Sequence, residues 1–152
     1  MATSCGLSAT SLAPLLSFLF ASLLDEGHIL PHSLVRDIPT VINGYNPKNF
    51  DRKHAGAVPA SKALSRSLNV PAVRLLRQYG LQKFYNKLHK MNLKSLDRPA
   101  SHYGLPLILG GGESSLWDVT KTYASLASTL NHFVSSSSTY FEHEFLDPSY
   151  LM

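Results

Sequence analysis

The chain has 152 residues, of which 44% are hydrophobic and 16% charged, which indicates a folded domain with a sizeable core rather than a disordered chain. The net charge is +4, but the basic residues are scattered along the sequence, so no nucleic-acid partner is indicated. The single cysteine excludes an internal disulfide and an all-cysteine metal site, and the sequence predicts no cofactor.

The apolar stretch near the N-terminus predicts neither a membrane span nor a signal peptide. Residues 12–24 are mainly apolar, but they include Pro14 and two serines and are shorter than the ~20 residues that a spanning helix needs. Residues 1–11 contain no lysine or arginine, whereas a signal peptide begins with basic residues. We therefore expect no membrane segment in this chain.

Taken in chain order, the apolar patterns predict helices joined by loops. Phe18–Asp25 is apolar at nearly every position, as in a buried helix, and Gly27 is predicted to end it. Pro31–Pro59 contains four prolines and no sustained period, so a long ordered loop is predicted there. Ser61 is predicted to cap a helix that ends at Leu68.

Three further helices are predicted after Leu68. The first starts at Val70-Pro71 and ends at Tyr79. The second has a core stripe at helical spacing, formed by Leu81, Phe84, Tyr85 and Leu88. The third begins with a capping box at Ser115–Asp118 and ends near Asn131. Its apolar face consists of Leu116, Val119, Tyr123, Leu126, Ala127 and Leu130. Before it, Gly110–Gly112 lacks the lysine of a phosphate-binding loop and predicts a flexible turn.

The polar pair in Ser67-Leu68-Asn69 stands where one predicted helix ends and the next begins. One interpretation is structural: the pair forms a helix C-cap and turn, with Asn69 left-handed, and Pro71 prevents the first helix from continuing. The other is catalytic, because a serine acyltransferase needs a nucleophile, an amine that takes its proton and polar groups that hold the substrate amide. The two interpretations are compatible.

The string from Ala63 to Val73, A-L-x-x-S-x-N-x-P-A-V, resembles the second active-site motif, Ser-x-Asn, of the class A penicillin-binding transpeptidases. Other segments that resemble this family are Leu23–Ile29, Asp37–Thr40, Gly44–Asp51, Leu107–Glu113 and Trp117–Ala127. The resemblance implies that Ser67 relays a proton and that Asn69 contacts the substrate amide and the catalytic lysine. It covers residues 18–133, predicted to be a partial transpeptidase domain, and leaves residues 1–17 and 134–152 unmatched.

Two motifs on which the family's chemistry depends are missing. The nucleophile and base belong to Ser-x-x-Lys, one helical turn apart, and the corresponding positions here are Ala13 and Leu16. No serine in the chain has lysine three residues later. The third motif, Lys-Thr-Gly, has only a chance counterpart in Lys121-Thr122-Tyr123, inside a predicted helix. The prediction is therefore a fragment of a D,D-transpeptidase that is inactive as written.

The resemblance implies a mainly α chain, the helical portion of the α/β serine transpeptidase and β-lactamase-like fold with an incomplete sheet. Helix faces that pack on that sheet are then expected to be exposed, which lowers solubility. The implied partners are the peptidoglycan stem peptide and β-lactams. The implied location is that of a membrane-anchored enzyme facing the periplasm or the cell exterior, although this chain is expected to lack the anchor.

Alternatives stay open for both the function and the origin of the chain. It is alternatively a non-catalytic helical binding module that uses the basic loop Lys48–His54, or a structural remnant without function. The loss of Ser-x-x-Lys has three explanations: a frame-shifted reading of residues 1–17, truncation, or true loss by substitution.

Overall fold

The computed structural model describes residues 15–93, 95–112 and 114–135, with side chains described as far as residue 131. Most of the unmatched segments 1–17 and 134–152 lies outside these ranges. Helices dominate the described residues, and two short strands accompany them. The elements are α1 (Leu15–Asp25), β1 (Leu34–Asp37), β2 (Gly56–Pro59), α2 (Ala60–Ser65), α3 (Asn69–Tyr79), α4 (Leu81–Lys90), α5 (Ala100–Tyr103), a 3₁₀ helix (Leu105–Leu109) and α6 (Leu116–Ser135).

The core forms where α1, α3, α4 and the 3₁₀ helix meet. Its largest fully buried side chains are Leu15, Phe18, Leu19, Phe20, Leu76, Phe84, Leu88, Leu93, Leu96, Leu107 and Ile108. α1 is the predicted buried helix, and it begins at Leu15, three residues earlier than predicted. Gly27 ends it with a left-handed backbone (φ 70°), and the N–H of His28 donates to the carbonyl of Leu23 (2.8 Å).

The segment Pro31–Pro59 is not the continuous loop that its prolines predict, because it contains a two-stranded antiparallel sheet. β1 and β2 pair in register, with Leu34 opposite Pro59. The buried residues of β1 are Val35 and Asp37. Four-residue strands with a carboxylate on the buried side show no apolar alternation, so the sequence pattern conceals them. The chain is thus mainly helical with a small two-stranded sheet.

α2 begins without the predicted side-chain cap. Ser61 lies inside the helix, and its N–H donates to the carbonyl of Pro31 (3.0 Å). The N–H of Ala60 donates to the carbonyl of Ser33 (2.8 Å). Backbone carbonyls of the preceding segment therefore accept the hydrogen bonds that a side-chain cap would accept at the start of a helix.

The predicted helices that begin near Val70 and Leu81 are confirmed. α3 starts at Asn69 and carries Pro71 in its first turn. In α4 the predicted core stripe is buried at Phe84, Tyr85 and Leu88 and partly buried at Leu81. The hydroxyl of Tyr85 donates to the carbonyl of Leu96 (2.9 Å), so the polar end of this buried ring has a partner.

α6 is capped by Ser115, as predicted, because the N–H of Asp118 donates to Ser115 Oγ (3.0 Å). Ser95 replaces the reciprocal bond of a capping box: its Oγ accepts the N–H of Ser115 (3.2 Å) and donates to Asp118 Oδ2 (3.1 Å). The helix continues to Ser135, past the predicted end at Asn131. Its apolar face is largely exposed in the part of the chain that the structure describes. The most exposed apolar residues of that face are Leu116, Leu126 and Leu130.

Within the described ranges, no helix is long and apolar enough to cross a membrane. The longest of them, α6, has 20 residues, but Asp118, Lys121 and several hydroxyl side chains interrupt its apolar positions. The same ranges contain no group of three or more histidine, cysteine or acidic side chains that could hold a metal ion.

An ion-pair cluster joins the end of α1 to α3 and α4. Glu26 accepts hydrogen bonds from Lys83 Nζ (2.5 Å), the Tyr79 hydroxyl (2.7 Å) and Lys87 Nζ (3.0 Å). The bond from Lys83, followed by those from Tyr79 and Lys87, lowers the pKa of Glu26 from 4.5 to about 2. A pKa lowered by folding stabilises the folded chain above pH 4.5, and this stabilisation is lost as the pH falls towards about 2.

We therefore expect Glu26→Gln to reduce the acid sensitivity of the chain. Urea unfolding measured at neutral pH and again between pH 4.5 and about 2 should show a larger loss of stability in the original chain than in the variant. Solvent screening of these partly exposed groups keeps the difference small. Asp97→Asn, at an exposed position, is the control and should behave like the original chain. Equal acid losses in the original chain and in Glu26→Gln would contradict the prediction.

Candidate functional site

The turn between α2 and α3 has a left-handed residue at Ser67. Its φ is 51°, and its N–H donates to the carbonyl of Leu64 (2.9 Å), which ends α2 before the predicted end at Leu68. Asn69, predicted to be the left-handed residue, is instead the first residue of α3, with Leu68 as its N-cap. The left-handed residue that ends α2 is therefore Ser67, directly after the C-cap Arg66, and the prediction of a left-handed Asn69 is wrong.

A small cavity of about 70 Å³ opens beside this turn. It is lined by Leu16, Ser67, Asn69, Ile108 and Leu109. Leu16 occupies the position that the resemblance assigns to the catalytic lysine, and the structure brings it next to the Ser-x-Asn turn. The presumed nucleophile position, Ala13, lies outside the described residues.

Sequence reasoning missed the contribution of the 3₁₀ helix to this cavity. The resemblance marks Leu107–Glu113 only as a turn, whereas Ile108 and Leu109 form part of the cavity wall. Gly111 holds the end of this helix, because its N–H donates to the carbonyl of Pro106 (2.9 Å). A Cβ at Gly111 would lie 2.8 Å from the Pro106 oxygen. The predicted flexible glycine turn is thus tightly packed.

The cavity offers little of the chemistry that acyl transfer needs. The side chain of Leu16 has no proton acceptor. Among the described residues, the Ser67 hydroxyl has no hydrogen-bond partner, and a serine hydroxyl without a base is a weak nucleophile. Asn69 is engaged by the protein itself, because its Nδ2 donates to the carbonyl of Lys48 (2.9 Å).

A buried polar pair, Asp37 and Asn49, lies behind the turn and was not predicted. Asn49 Nδ2 donates to Asp37 Oδ1 (2.7 Å), and Asn49 Oδ1 accepts the N–H of Val70 (3.1 Å) at the start of α3. The exposed fractions of Asp37 and Asn49 are 1% and 3%. The available signal was that both residues belong to segments that resemble the family. The imidazole of His54 lies 3.5 Å from Asp37 Oδ1.

The triplet Lys121-Thr122-Tyr123 does not form the strand that the third family motif requires. It lies within α6, and the Thr122 hydroxyl is within hydrogen-bond distance of the carbonyls of Asp118 (2.9 Å) and Met91 (3.2 Å). The hydroxyl therefore faces the helix and the neighbouring chain rather than the cavity. The interpretation of this triplet as a chance match agrees with its place in the fold.

Comparison with known proteins places this chain in a class. No protein-family model matches the chain. The solved structure of the penicillin-binding protein PonA1 from Mycobacterium tuberculosis has a similar fold, with a TM-score of 0.68 and 21% identity over 80% of this chain and 34% of that chain. PonA1 in complex with penicillin V gives a TM-score of 0.69, with 36% of that chain covered. Together with the sequence relatives described next, these structures show that the chain belongs to the penicillin-binding proteins and forms part of a domain of that family.

The particular relatives are penicillin-binding proteins by name. Penicillin-binding protein 1C of Escherichia coli (strain K12) is 40% identical over 110 residues, which are 72% of this chain and 14% of that protein. Penicillin-binding protein 1F of Bacillus subtilis (strain 168) is 35% identical over 95 residues, which are 61% of this chain and 12% of that protein. The chain thus spans about a seventh of the length of penicillin-binding protein 1C, and the resemblance derived from its motifs is confirmed.

The left-handed backbone of Ser67 predicts an unusual stabilising substitution. Glycine takes a positive φ without the steric cost that a side chain incurs, so Ser67→Gly should raise the free energy of unfolding by about 0.5–1 kcal/mol. Urea unfolding followed by circular dichroism measures the change. The control is Ser65→Gly at the end of α2, which should destabilise the chain by a similar amount, since glycine disfavours helix. A destabilised Ser67→Gly would show that the hydroxyl makes an essential contact.

Proposed function

We propose that this chain is a catalytically inactive part of a D,D-transpeptidase domain of cell-wall synthesis. Its Ser67–Asn69 turn corresponds to the Ser-x-Asn loop that relays a proton and contacts the substrate amide. The observation that carries the proposal is the position of Leu16, which lines the same cavity as Ser67 and Asn69. A leucine stands where the reaction needs an amine.

The reaction itself explains why this substitution matters. In D,D-transpeptidation a serine oxygen attacks the D-Ala-D-Ala carbonyl of a stem peptide, D-Ala leaves with a proton, and the amine of a neighbouring strand then takes the acyl group. A basic amine must accept the serine proton and return it to the leaving amine. The isobutyl group of Leu16 does neither, and Ala13 has no oxygen with which to attack.

The size of the cavity supports the same proposal. Pockets that bind drug-sized ligands have volumes of roughly 300–1,000 Å³, whereas the cavity beside Ser67 has about 70 Å³. That space accommodates a few water molecules rather than a penicillin. The chain alone is therefore expected to bind neither a β-lactam nor a stem peptide tightly at this turn.

Incubation with benzylpenicillin is expected to leave the mass of the intact chain unchanged, because the sequence contains no Ser-x-x-Lys pair that would activate a serine. Intact-mass spectrometry measures the result, and a class A penicillin-binding protein with an intact Ser-x-x-Lys motif serves as the positive control. A stoichiometric mass gain that hydroxylamine removes would overturn the proposal of inactivity. Repeating the incubation with Ser67→Ala would then show whether Ser67 is the acylated residue.

A second candidate function is a non-catalytic binding module that uses the loop Lys48–His54. The observation that favours it is the complete exposure of Phe50 (103%), with the exposed cations Lys48, Arg52 and Lys53 around it in sequence. Titration of the ¹⁵N-labelled chain with stem peptide or soluble glycan strands tests this function. Binding that shifts the loop amides and is lost in Phe50→Ala would support the binding module. Unchanged spectra would contradict it and would favour the inactive part of a transpeptidase domain.

A further inference from the structure

A fully hydrogen-bonded polar cluster lies behind the Ser-x-Asn turn. Every polar group of the Asn49 carboxamide is used: Nδ2 donates to Asp37 Oδ1 (2.7 Å) and to the carbonyl of Lys53 (2.8 Å), and Oδ1 accepts the N–H of Val70 (3.1 Å). Asp37 Oδ2 in turn accepts the N–H of Ala55 (2.8 Å). Buried amides and carboxylates that are fully bonded hold one geometry, because any other arrangement leaves a buried polar group without a partner.

Two consecutive residues of the loop bind two consecutive residues of the turn. The carbonyl of Lys48 accepts Asn69 Nδ2 (2.9 Å), and the side chain of Asn49 accepts the N–H of Val70. We call this pair of bonds the 48/49 clamp. The second bond satisfies an N–H in the first turn of α3, which has no side-chain cap of its own.

The 48/49 clamp fixes the carboxamide that lines the cavity. Because Asn69 Nδ2 is bound to Lys48, the amide plane of Asn69 has one orientation, and Oδ1 is its polar atom without a partner among the described residues. Next to it, Ser67 has a left-handed backbone. Such strained residues persist only where the surrounding structure over-determines them. The clamp supplies that constraint on the C-terminal side of the turn.

We infer that Asp37 and Asn49 are positioning residues of the Ser-x-Asn turn. Asp37 orients the Asn49 carboxamide, Asn49 holds the start of α3, and the adjoining Lys48 carbonyl sets the Asn69 side chain towards a ligand with an N–H donor. The inference rests on the proposed function, since it gives the turn the role of a substrate-binding loop. It assigns a role to residues 37–55 that is independent of the missing nucleophile and base.

Hydrogen exchange of the ¹⁵N-labelled chain tests this inference. Asp37 makes no hydrogen bond to Val70, but Asp37→Ala should accelerate exchange of the Val70 amide about tenfold more than exchange of the Leu88 amide in α4, and it should shift the Asn69 side-chain amide signals. The Leu88 amide reports the global destabilisation of the variant, so the ratio of the two exchange rates isolates the local effect. Asp37→Asn retains an acceptor for Asn49 and should restore most of the Val70 protection. Asn46→Ala, at an exposed position of the same loop, is the matched control.

An unchanged ratio of Val70 to Leu88 exchange, together with unchanged Asn69 signals, in a folded Asp37→Ala chain would overturn the inference. If the variant does not fold, hydrogen exchange of the original chain at low urea tests the inference instead. At low urea the amides of Ala55 and Val70, bound by Asp37 and Asn49, should open together, within about threefold in exchange rate. A Val70 amide that stays protected while Ala55 opens would overturn the positioning role. A penicilloyl adduct would overturn only the proposed inactivity, so the two failures are distinguishable.

Discussion

Phe84→Ala is expected to lower the free energy of unfolding by about 3–5 kcal/mol, the usual effect of removing a buried ring. Phe84 is completely buried in α4, and its ring lies 6.4 Å from that of Tyr79 in an edge-to-face arrangement. The change removes this contact and leaves a cavity between α3 and α4. Because domains of this size are stable by only about 5–15 kcal/mol, the loss is a large fraction of the total.

Urea unfolding followed by circular dichroism measures the effect, and Phe50→Ala is the matched control. Phe50 is fully exposed, so its removal should change the stability by less than about 0.5 kcal/mol. Similar losses in the two variants would show that Phe50, rather than Phe84 alone, packs against part of the chain. A small loss in Phe84→Ala alone would contradict the position of α4 in the core.

Asp37→Ala is expected to cost about 3 kcal/mol of stability, because it leaves buried polar groups without acceptors. Asn49 Nδ2 loses one of its two acceptors, and the N–H of Ala55 loses the acceptor described above. Chemical denaturation measures this loss as well. Asp51→Ala is the control in the same loop: Asp51 is exposed, and among the described residues its carboxylate accepts only the N–H of Lys53 (3.0 Å), so the cost should stay below about 1 kcal/mol. Equal costs at the two positions would contradict the buried pair.

The helices were predictable from apolar periodicity, because a helix that packs on a core must carry apolar residues at the positions that face it. The stripe of α4 and the continuous apolar run of α1 are both in the core, as expected. Buried polar residues follow no apolar pattern. The buried Asp37 therefore concealed β1, and its partner Asn49 could not be distinguished from an ordinary loop residue. The caps show the same limit: Ser115 caps α6 through a local bond, whereas α2 uses carbonyls from a distant turn.

The roles of Ser67 and Asn69 stay predictions, but their place in the fold can be compared with the resemblance. Ser67, Asn69 and Leu16 line one cavity, a spatial relation that the resemblance implies and that spacing in the sequence does not contain. Ile108 and Leu109 were missed, since their role depends on how the 3₁₀ helix packs against α1 and α3. The left-handed residue was assigned to Asn69 on propensity, and the hydrogen bonds of the turn put it at Ser67 instead.

The contacts that hold the start of α3 come from residues 37–55, and Leu16 contributes only apolar surface beside the turn. Mutational decay of the chemistry would therefore leave this part of the scaffold intact. Selection for folding alone would keep Asp37 and Asn49, and with them the geometry of the turn, after selection for cross-linking had ceased. A genome survey that counts Ser-x-Asn motifs would then count folded scaffolds. To count working enzymes, the survey would also have to require Ser-x-x-Lys in the same chain.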